Sequence, residues 1–335
     1  MGHAKKPAGN LFLSQCSAID FGRPELENDE IEYYRALNNA MVLCLRTLPA
    51  STQTEAMMFA MRYAGIGVGE KLDFFRNYYA PVWSILYWIN ATATERKLEI
   101  DEMRDGITAH AMAMLLHSLD DHCADGELPA SHLVLLIRSQ AWHLMKEGIA
   151  RLSAEIPSGA DRADNLIDAY YSAINSGAVP ENLDDYCGRF KEQMATGLII
   201  PVLTAIKAGG DDAYIGSVRK AMESFGVAWR ILDDIRDIRK DVRKHVRTAV
   251  YLSLPEAGRA LWDVISSKAG PCEADDVLDD LAGVMADAGI LPDLIEKISR
   301  ELDTAAGAAG SAGLAGLVRE FNVMKEPLAA WKLKA

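Results

Sequence analysis

Three aspartates near the middle of the chain have a spacing that could bind divalent cations. They directly follow the strongly apolar segment 109–119 and are Asp120, Asp121 and Asp125. Residues four apart lie on one face of a helix, so Asp121 and Asp125 would stack their carboxylates. Like charges at the end of a buried helix need a counter-charge, and a divalent cation is the usual one.

A second aspartate cluster repeats this pattern farther along the chain. Asp233, Asp237 and Asp241 are spaced i, i+4, i+8, and they follow the apolar segment 225–232. On a continuous helix this spacing forms one stripe of carboxylates two turns long. Two facing stripes could hold several Mg²⁺ ions against a diphosphate and neutralise its charge as it leaves. Its departure would leave an allylic carbocation in the apolar pocket below.

Each cluster also has a simpler explanation. Acidic residues at helix ends are commonly solvated, and the basic residues interleaved with the second cluster could form i,i+4 salt bridges with it. The pairing of two clusters, each behind an apolar helix, favours the metal site, because unpaired acids are rare near protein cores.

The elements that must position these aspartates are helices. Alternation typical of strands is nearly absent, and 250–254 is the one short strand candidate. Segments 133–144 and 198–206 are apolar on more than one face, which is typical of helices at the centre of a bundle. The sequence therefore predicts an all-α, single-domain helical bundle with buried central helices.

The predicted organisation has an irregular N-terminal arm over 1–27 and one helical domain over 28–335. Glycines and prolines punctuate the arm, and the small-residue segment 303–316 predicts a flexible hinge before a last helix. A predicted helix over 70–91 is dense in aromatic residues. Aromatic faces stabilise cations, so Trp83 and Trp88 are candidates for a pocket wall, with ordinary core packing as the alternative.

Bulk composition excludes some classes of function. The 335 residues include 48 acidic and 35 basic ones, and a net charge of −13 argues against a nucleic-acid binder. The five cysteines are scattered and odd in number, which favours a reducing, cytoplasmic location over a disulfide framework. The sequence contains no run of about 18 apolar residues, so no transmembrane segment is predicted.

The aspartate clusters resemble the metal motifs of a known superfamily, the class I terpene cyclases and trans-prenyltransferases. Segment 120–125 is similar to the aspartate-rich first motif in its DDxxxD form. Segment 233–241 is similar to the second motif, and its three aspartates are closer to prenyltransferases and to squalene- and phytoene-type synthases than to bacterial cyclases. The resemblance covers roughly 100–330 and implies an antiparallel isoprenoid synthase bundle with a deep central apolar pocket.

The resemblance also implies roles for single residues. Asp120, Asp121 and Asp125 would bind two Mg²⁺ ions, and a second set, Asp233, Asp237 and Asp241, would bind a third. Lys240 matches a lysine that contacts diphosphate. Arg189 lies near the place of a diphosphate-sensing arginine, although a structural arginine at a helix start is an alternative. Gly197 would mark a helix break that exposes carbonyls to the substrate.

The departures from the family patterns decide the predicted reaction. The Arg-Arg-Gly and Gly-Lys-Arg segments of chain-elongating prenyltransferases are missing, since 126–131 reads Gly-Glu-Leu-Pro-Ala-Ser. The resemblance therefore implies a terpene synthase, a lyase that ionises a linear C15–C25 prenyl diphosphate, releases diphosphate and cyclises the carbocation to a hydrocarbon or alcohol. The alternatives are a squalene- or phytoene-type or other prenyltransferase that couples two prenyl units, and a non-catalytic helical partner protein. Helical dimers are common in this superfamily, which leaves a homodimer open.

Overall fold

The structure, a computed structural model, describes residues 8–75, 79–267 and 271–332. Every regular element in these ranges is an α-helix, which confirms the predicted all-α class. The helices are α1 (Ala8–Cys16), α2 (Asn28–Arg46), α3 (Gln53–Tyr63), α4 (Ala80–Thr92), α5 (Ile100–Ala124), α6 (His132–Ser153), α7 (Gly159–Asn175), α8 (Leu183–Gln193), α9 (Ala195–Lys207), α10 (Asp212–Arg236), α11 (Ile238–Lys244), α12 (Ala249–Ser253), α13 (Glu256–Ser267), α14 (Pro271–Asp287), α15 (Ile290–Ser311) and α16 (Ala315–Lys332).

The centre of the bundle consists of α5, α9, α10 and α15. Helix α9 contacts both α5 and α10, and nearly all of its residues are buried, as the apolar pattern of 198–206 predicts. Helix α5 also packs against α6, and α10 packs against α15. Within the described ranges, no helix combines the length and the apolarity needed to cross a bilayer.

The two helices that carry the aspartate clusters are fixed at their N-termini by side-chain caps. Glu99 and Glu102 form a capping box at the start of α5, and the Asp211 carboxylate accepts a 2.7 Å bond from the Tyr214 backbone N–H at the start of α10. Such caps satisfy amide groups that have no partner within the helix. The first cluster lies at the opposite, C-terminal end of α5, and the second begins at the C-terminal end of α10 and continues into α11.

Two N-terminal predictions are wrong in detail. The arm over 1–27 contains α1, whose Leu13 and Cys16 are buried against the bundle, so tertiary packing orders a segment without a sequence period. The aromatic helix predicted over 70–91 begins only at Ala80, where Pro81 in the first turn favours helix initiation.

Two further differences fall in the C-terminal half. The strand candidate 250–254 lies largely in α12. The predicted hinge over 303–316 is helical up to Ser311, where α15 ends. Alanine is the strongest helix former, and Ala305 and Ala309 are buried along the helix, so small residues here serve close packing instead of flexibility.

Candidate functional site

The first aspartate cluster ends α5. Asp121 lies in its last turn, Asp125 is the C-cap residue, and both are exposed. Gly126 then adopts φ +70°, which favours glycine, and the Glu127 backbone N–H donates back to the His122 carbonyl at 2.9 Å. Acidic groups at a helix C-terminus face the negative end of the helix dipole, so this arrangement favours binding of a cation.

Asp120 points to a different partner from its neighbours. Arg138 on α6 donates to both of its carboxylate oxygens, at 2.5 Å from Nε and 2.8 Å from Nη2. A bidentate arginine pair of this kind engages both oxygens of the carboxylate. The structure therefore ties Asp120 to α6 instead of joining it to Asp121.

The second cluster spans the junction of α10 and α11. Asp237 links the two helices with φ −97° and ψ 9°. The i,i+4 hydrogen bonds nevertheless continue, because the Asp237 N–H donates to the Asp233 carbonyl and the Asp241 N–H to the Asp237 carbonyl, each at 2.9 Å. The predicted stripe of three carboxylates is thus kept across the junction.

Burial makes the second cluster electrostatically unusual. It raises the pKa of Asp233 to about 6, and the neighbouring Asp237 and Asp234 carboxylates add to this against the opposing Arg230. Burial likewise raises the pKa of Asp241 to about 7, with Asp234 as the next contribution. Such carboxylates are incompletely neutralised by the protein, which is the condition in which a bound cation stabilises them.

Lysines from the second cluster bridge to the first. The Lys240 Nζ lies 2.5 Å from Glu127 Oε1 and 2.9 Å from Asp237 Oδ2. The Lys244 Nζ donates to the same Glu127 oxygen at 3.0 Å and to the Asp125 carbonyl at 3.3 Å. Hydrogen bonds from both lysines lower the pKa of Glu127 to about 2. These contacts bring the two clusters to one rim.

The clusters line a common cavity of about 390 Å³, which we name the acidic cleft. Five of the six predicted aspartates line it, and they are Asp121, Asp125, Asp233, Asp237 and Asp241. The apolar residues in its lining are Val82, Met114, Met194, Phe225, Trp229 and Val246. A cavity with carboxylates and apolar side chains in one lining suits a ligand with a polar head and an apolar body.

A second chamber of about 260 Å³ adjoins the acidic cleft, because Met114 and His122 line both. Trp83 lines this chamber and packs against Phe75, with ring centroids 4.2 Å apart and ring planes tilted by 53°. Trp88 lines neither cavity, since it is buried and donates from Nε1 to Glu320 at 2.7 Å. The structure thus puts one of the two predicted wall tryptophans beside the cleft and the other in the core.

Arg189 and Gly197 do not line the acidic cleft. Arg189 pairs with Asp185 one turn earlier, at 3.2 Å, and donates to the Ala178 carbonyl at 2.7 Å, as in the structural alternative. The helix break falls at Met194, three residues before Gly197. Pro201 has no N–H to donate to the Gly197 carbonyl, so the helix is also weakened there.

Arg230 is one of three cations that line the cleft and were not predicted as site residues, the others being Arg236 and Lys244. Its Nε donates to the Tyr186 hydroxyl at 2.8 Å and lies 3.1 Å from Asp234, and its guanidinium is 5.8 Å from the Phe190 ring centroid. Asp234 is buried and also accepts from the Tyr186 hydroxyl at 2.8 Å. The sequence feature that could have predicted this role is the position of Arg230, about one helical turn before Asp233.

The donor set fits Mg²⁺. Within the described residues, no three acidic, histidine or cysteine side chains converge on one preformed metal position. Mg²⁺ commonly takes one or two carboxylates and completes its octahedral shell with waters and substrate phosphate oxygens. Facing carboxylates without a closed cage therefore suit magnesium held together with a phosphate ligand.

No protein-family model and no curated protein matches this chain. Solved structures do. A polyprenyl synthetase from Streptomyces coelicolor A3(2) is 13% identical with a TM-score of 0.65 over 89% of this chain and 97% of its own. A geranylgeranyl pyrophosphate synthase from Lactobacillus brevis ATCC 367 is 12% identical in sequence. Its TM-score is 0.67, and the match covers 87% of this chain and 96% of the synthase.

A third similar structure is a geranylgeranyl pyrophosphate synthase from Corynebacterium glutamicum, complexed with isoprenyl diphosphate and magnesium. It is 12% identical with a TM-score of 0.57 over 90% of this chain and 100% of its own. At these identities the likeness concerns the fold. The chain has the all-α isoprenoid synthase fold that the motif resemblance implies.

Proposed function

We propose that this protein is an Mg²⁺-dependent prenyltransferase that ionises an allylic prenyl diphosphate and joins its prenyl group to a second isoprenoid substrate. The observation that carries this proposal is the acidic cleft, in which carboxylates of two helices and apolar side chains share one cavity. The synthases of the same fold support prenyl transfer, the alternative of the sequence interpretation, over cyclisation.

The carboxylates of the cleft would hold magnesium. Asp121 and Asp125 offer ligands from α5, and Asp233, Asp237 and Asp241 offer them from α10 and α11. Magnesium supplies neutralisation of the charge that develops on the leaving diphosphate. The Corynebacterium synthase complexed with isoprenyl diphosphate and magnesium supports this choice of ion.

Positive side chains of the cleft would orient the diphosphate. Arg230 is held by Tyr186 and Asp234, so its guanidinium keeps one orientation at little entropic cost. Lys240 lies at the rim between Glu127 and Asp237 and can exchange one of these contacts for a phosphate oxygen. A fixed arginine and an exchangeable lysine would bind the leaving group before the bond breaks.

The apolar lining would receive the prenyl chain. Met114, Met194, Phe225 and Trp229 exclude water from the place where the carbocation forms. The faces of Phe225 and Trp229 also offer electron density to a cation. The adjoining chamber lined by Trp83 gives a longer chain room beyond Met114.

Cyclisation is the second candidate function. It is favoured by segment 126–131, which follows the first cluster without any arginine or lysine. Chain-elongating members of the superfamily that the motifs resemble carry arginines there. An enzyme without them would process one prenyl diphosphate alone.

Incubation with Mg²⁺ and C10, C15, C20 or C25 allylic diphosphates, each with and without isopentenyl diphosphate, tests the proposal. Prenyl transfer predicts a longer diphosphate in the paired reactions or a doubled chain from one substrate. A cyclic product from a single substrate would support the second candidate. Absence of diphosphate release in every reaction would contradict both and favour a non-catalytic helical protein.

A further inference from the structure

The segment between α1 and α2 reaches the rim of the acidic cleft and is firmly anchored. Ile19 and Phe21 are buried, and the Gly22 N–H donates to the Met324 carbonyl on α16 at 3.1 Å. A Cβ on Gly22 would lie 2.1 Å from the Val323 carbonyl oxygen, so glycine permits this close approach. The intervening Asp20 is therefore held at a defined place.

Asp20 contacts two residues that line the cleft. It accepts a short hydrogen bond from the Tyr79 hydroxyl. The Arg236 Nη1 lies 3.7 Å from the same carboxylate oxygen and donates to the Tyr79 hydroxyl at 3.3 Å. Tyr79 is itself fixed, since its ring packs edge-on to Phe21 with centroids 4.9 Å apart.

Arg236 occupies a position between two cluster aspartates. It follows Asp233 by three residues and directly precedes Asp237, and like both of them it lines the acidic cleft. Its guanidinium therefore borders the volume in which the diphosphate of a substrate would lie. The cation nevertheless makes its ion pair with Asp20, outside the two clusters.

This ion pair is easily exchanged. The Arg236 and Asp20 side chains are 41% and 42% exposed, and ion pairs with such exposure contribute little because water competes for both charges. A diphosphate offers an arginine several anionic oxygens for bidentate, charge-assisted hydrogen bonds, which are stronger. Exchange of Asp20 for a diphosphate oxygen is therefore favourable for the guanidinium.

We propose that Arg236 binds the diphosphate of the substrate and that Asp20 occupies its guanidinium until the diphosphate arrives. On binding, the guanidinium leaves Asp20, which keeps the hydrogen bond from Tyr79. Because this ion pair must break before the diphosphate can take the guanidinium, Asp20 lowers the affinity of the site through Arg236. This inference rests on the proposed function, because it assumes a diphosphate ligand.

The two substitutions predict opposite effects on the binding of inorganic diphosphate in the presence of Mg²⁺, measured by calorimetry on the full chain. Arg236→Gln weakens binding by about 10-fold or more, since hydrogen bonds to charged groups are the strong ones. Asp20→Asn strengthens binding by about 3-fold, the size expected from release of an exposed ion pair.

The double variant separates competition from a structural effect. If Asp20 acts only through Arg236, Asp20→Asn has no effect on affinity in the Arg236→Gln background, because the contact partner is gone. Arg236→Lys keeps the charge but lacks the bidentate fork, and its affinity falls between wild type and Arg236→Gln. Melting temperatures of all variants verify that each chain is folded.

Arg219→Gln is the matched control. Arg219 lies on the same helix, pairs with Glu223 at 2.5 Å and does not line the cleft. Its substitution leaves diphosphate affinity unchanged.

Wild-type affinity in a folded Arg236→Gln variant would overturn the inference, as would a tightening by Asp20→Asn that persists without Arg236. If Asp20→Asn does not fold, the two Arg236 variants still test the inference. Wild-type affinity in both Arg236→Lys and Arg236→Gln would overturn it. Failure of the wild-type chain to bind Mg²⁺ and diphosphate would instead contradict the proposed function.

Discussion

The two walls of the acidic cleft present carboxylates in different electrostatic states. Asp121 and Asp125 on α5 are exposed at a helix end, where water solvates them. Asp241 on the facing wall is buried, and burial raises its pKa to about 7 and that of Asp233 to about 6. One wall therefore costs the free protein little, whereas the other is destabilised until it is protonated or binds a cation.

This difference indicates a division of labour. A buried carboxylate in a fixed helix junction has a defined position and needs a proton or a cation to neutralise its charge. This is typical of functional sites that trade stability for binding. An exposed carboxylate at a helix end can adjust its rotamer as the ligand arrives. We expect substitutions on both walls to damage binding, and only those on the α10–α11 wall to change stability.

The largest expected effect is loss of catalysis from either wall. Asp233→Asn and Asp121→Asn each lower kcat/KM for diphosphate release by about 100- to 1,000-fold, the range for removing one group that stabilises charge in the transition state. Steady-state kinetics with Mg²⁺ measure the loss. Asp263→Asn, an exposed aspartate on α13, serves as control and retains wild-type rates. Full activity of either cleft variant would show that the carboxylate of that wall is not needed for catalysis.

The next effect is on the free energy of unfolding, and it differs between the two walls of the cleft. A raised folded-state pKa means that ionisation of Asp241 costs stability, and this cost grows as pH rises from its unfolded value through about 7. Asp241→Asn therefore stabilises the metal-free protein at pH 8 by about 2 kcal/mol, less than the full linkage value because solvent relaxes around the charge. Asp125→Asn changes stability by less than about 0.5 kcal/mol.

Urea unfolding of both variants at pH 5 and pH 8 measures this difference. The gain from Asp241→Asn shrinks at pH 5, where the wild-type carboxyl is protonated. Equal effects from Asp125→Asn and Asp241→Asn would show that the walls do not differ.

The same contrast predicts a pH dependence of ligand binding. A carboxylate must lose its proton to bind magnesium, so the affinity for Mg²⁺ and diphosphate rises from pH 6 to pH 8 as Asp233 and Asp241 ionise. A pKa near 7 limits affinity at pH 6 by about 10-fold. Calorimetry of the wild-type chain in two buffers with different ionisation heats measures the protons released on binding. The account predicts a larger release at pH 6 than at pH 8, after subtraction of the release measured for Mg²⁺ and diphosphate without protein at each pH. Equal release at the two pH values would contradict the assignment.

The smallest expected effect concerns Asp120. Its pairing with Arg138 predicts that Asp120→Asn lowers stability by about 1 kcal/mol, a value between exposed and buried ion pairs, and lowers kcat/KM by no more than about 3-fold. Thermal unfolding and kinetics measure both values. Arg138→Gln should reproduce the loss of stability. A loss of activity comparable to that of Asp121→Asn would make Asp120 a metal ligand, as the motif resemblance implies.

The sequence was sufficient to predict those features of the fold and of the candidate site that depend on helical periodicity. The spacing of Asp233, Asp237 and Asp241 survives a helix junction because the i,i+4 bonds continue through it. It was insufficient for parts that depend on tertiary partners. Arg189 and Asp120 have suitable positions in the chain, yet Asp185 and Arg138 engage them, and no periodicity contains that information.

Packing also decides the remaining differences. Asp20 lies in a segment without a sequence period, and its place at the cleft rim depends on Gly22 meeting α16, about 300 residues away in the chain. Trp88 differs from Trp83 through its hydrogen bond to Glu320. The single-domain boundary, the homodimer, the cytoplasmic location and the number of magnesium ions stay predictions.

The most direct test of the account is calorimetric titration of inorganic diphosphate into the wild-type chain and the variants Asp121→Asn and Asp233→Asn, with and without Mg²⁺. The account predicts binding only with Mg²⁺, and its loss when either wall is altered, because both walls act on one ligand. Binding without Mg²⁺, or binding that both variants retain, would contradict the claim that the acidic cleft holds a metal-bound diphosphate.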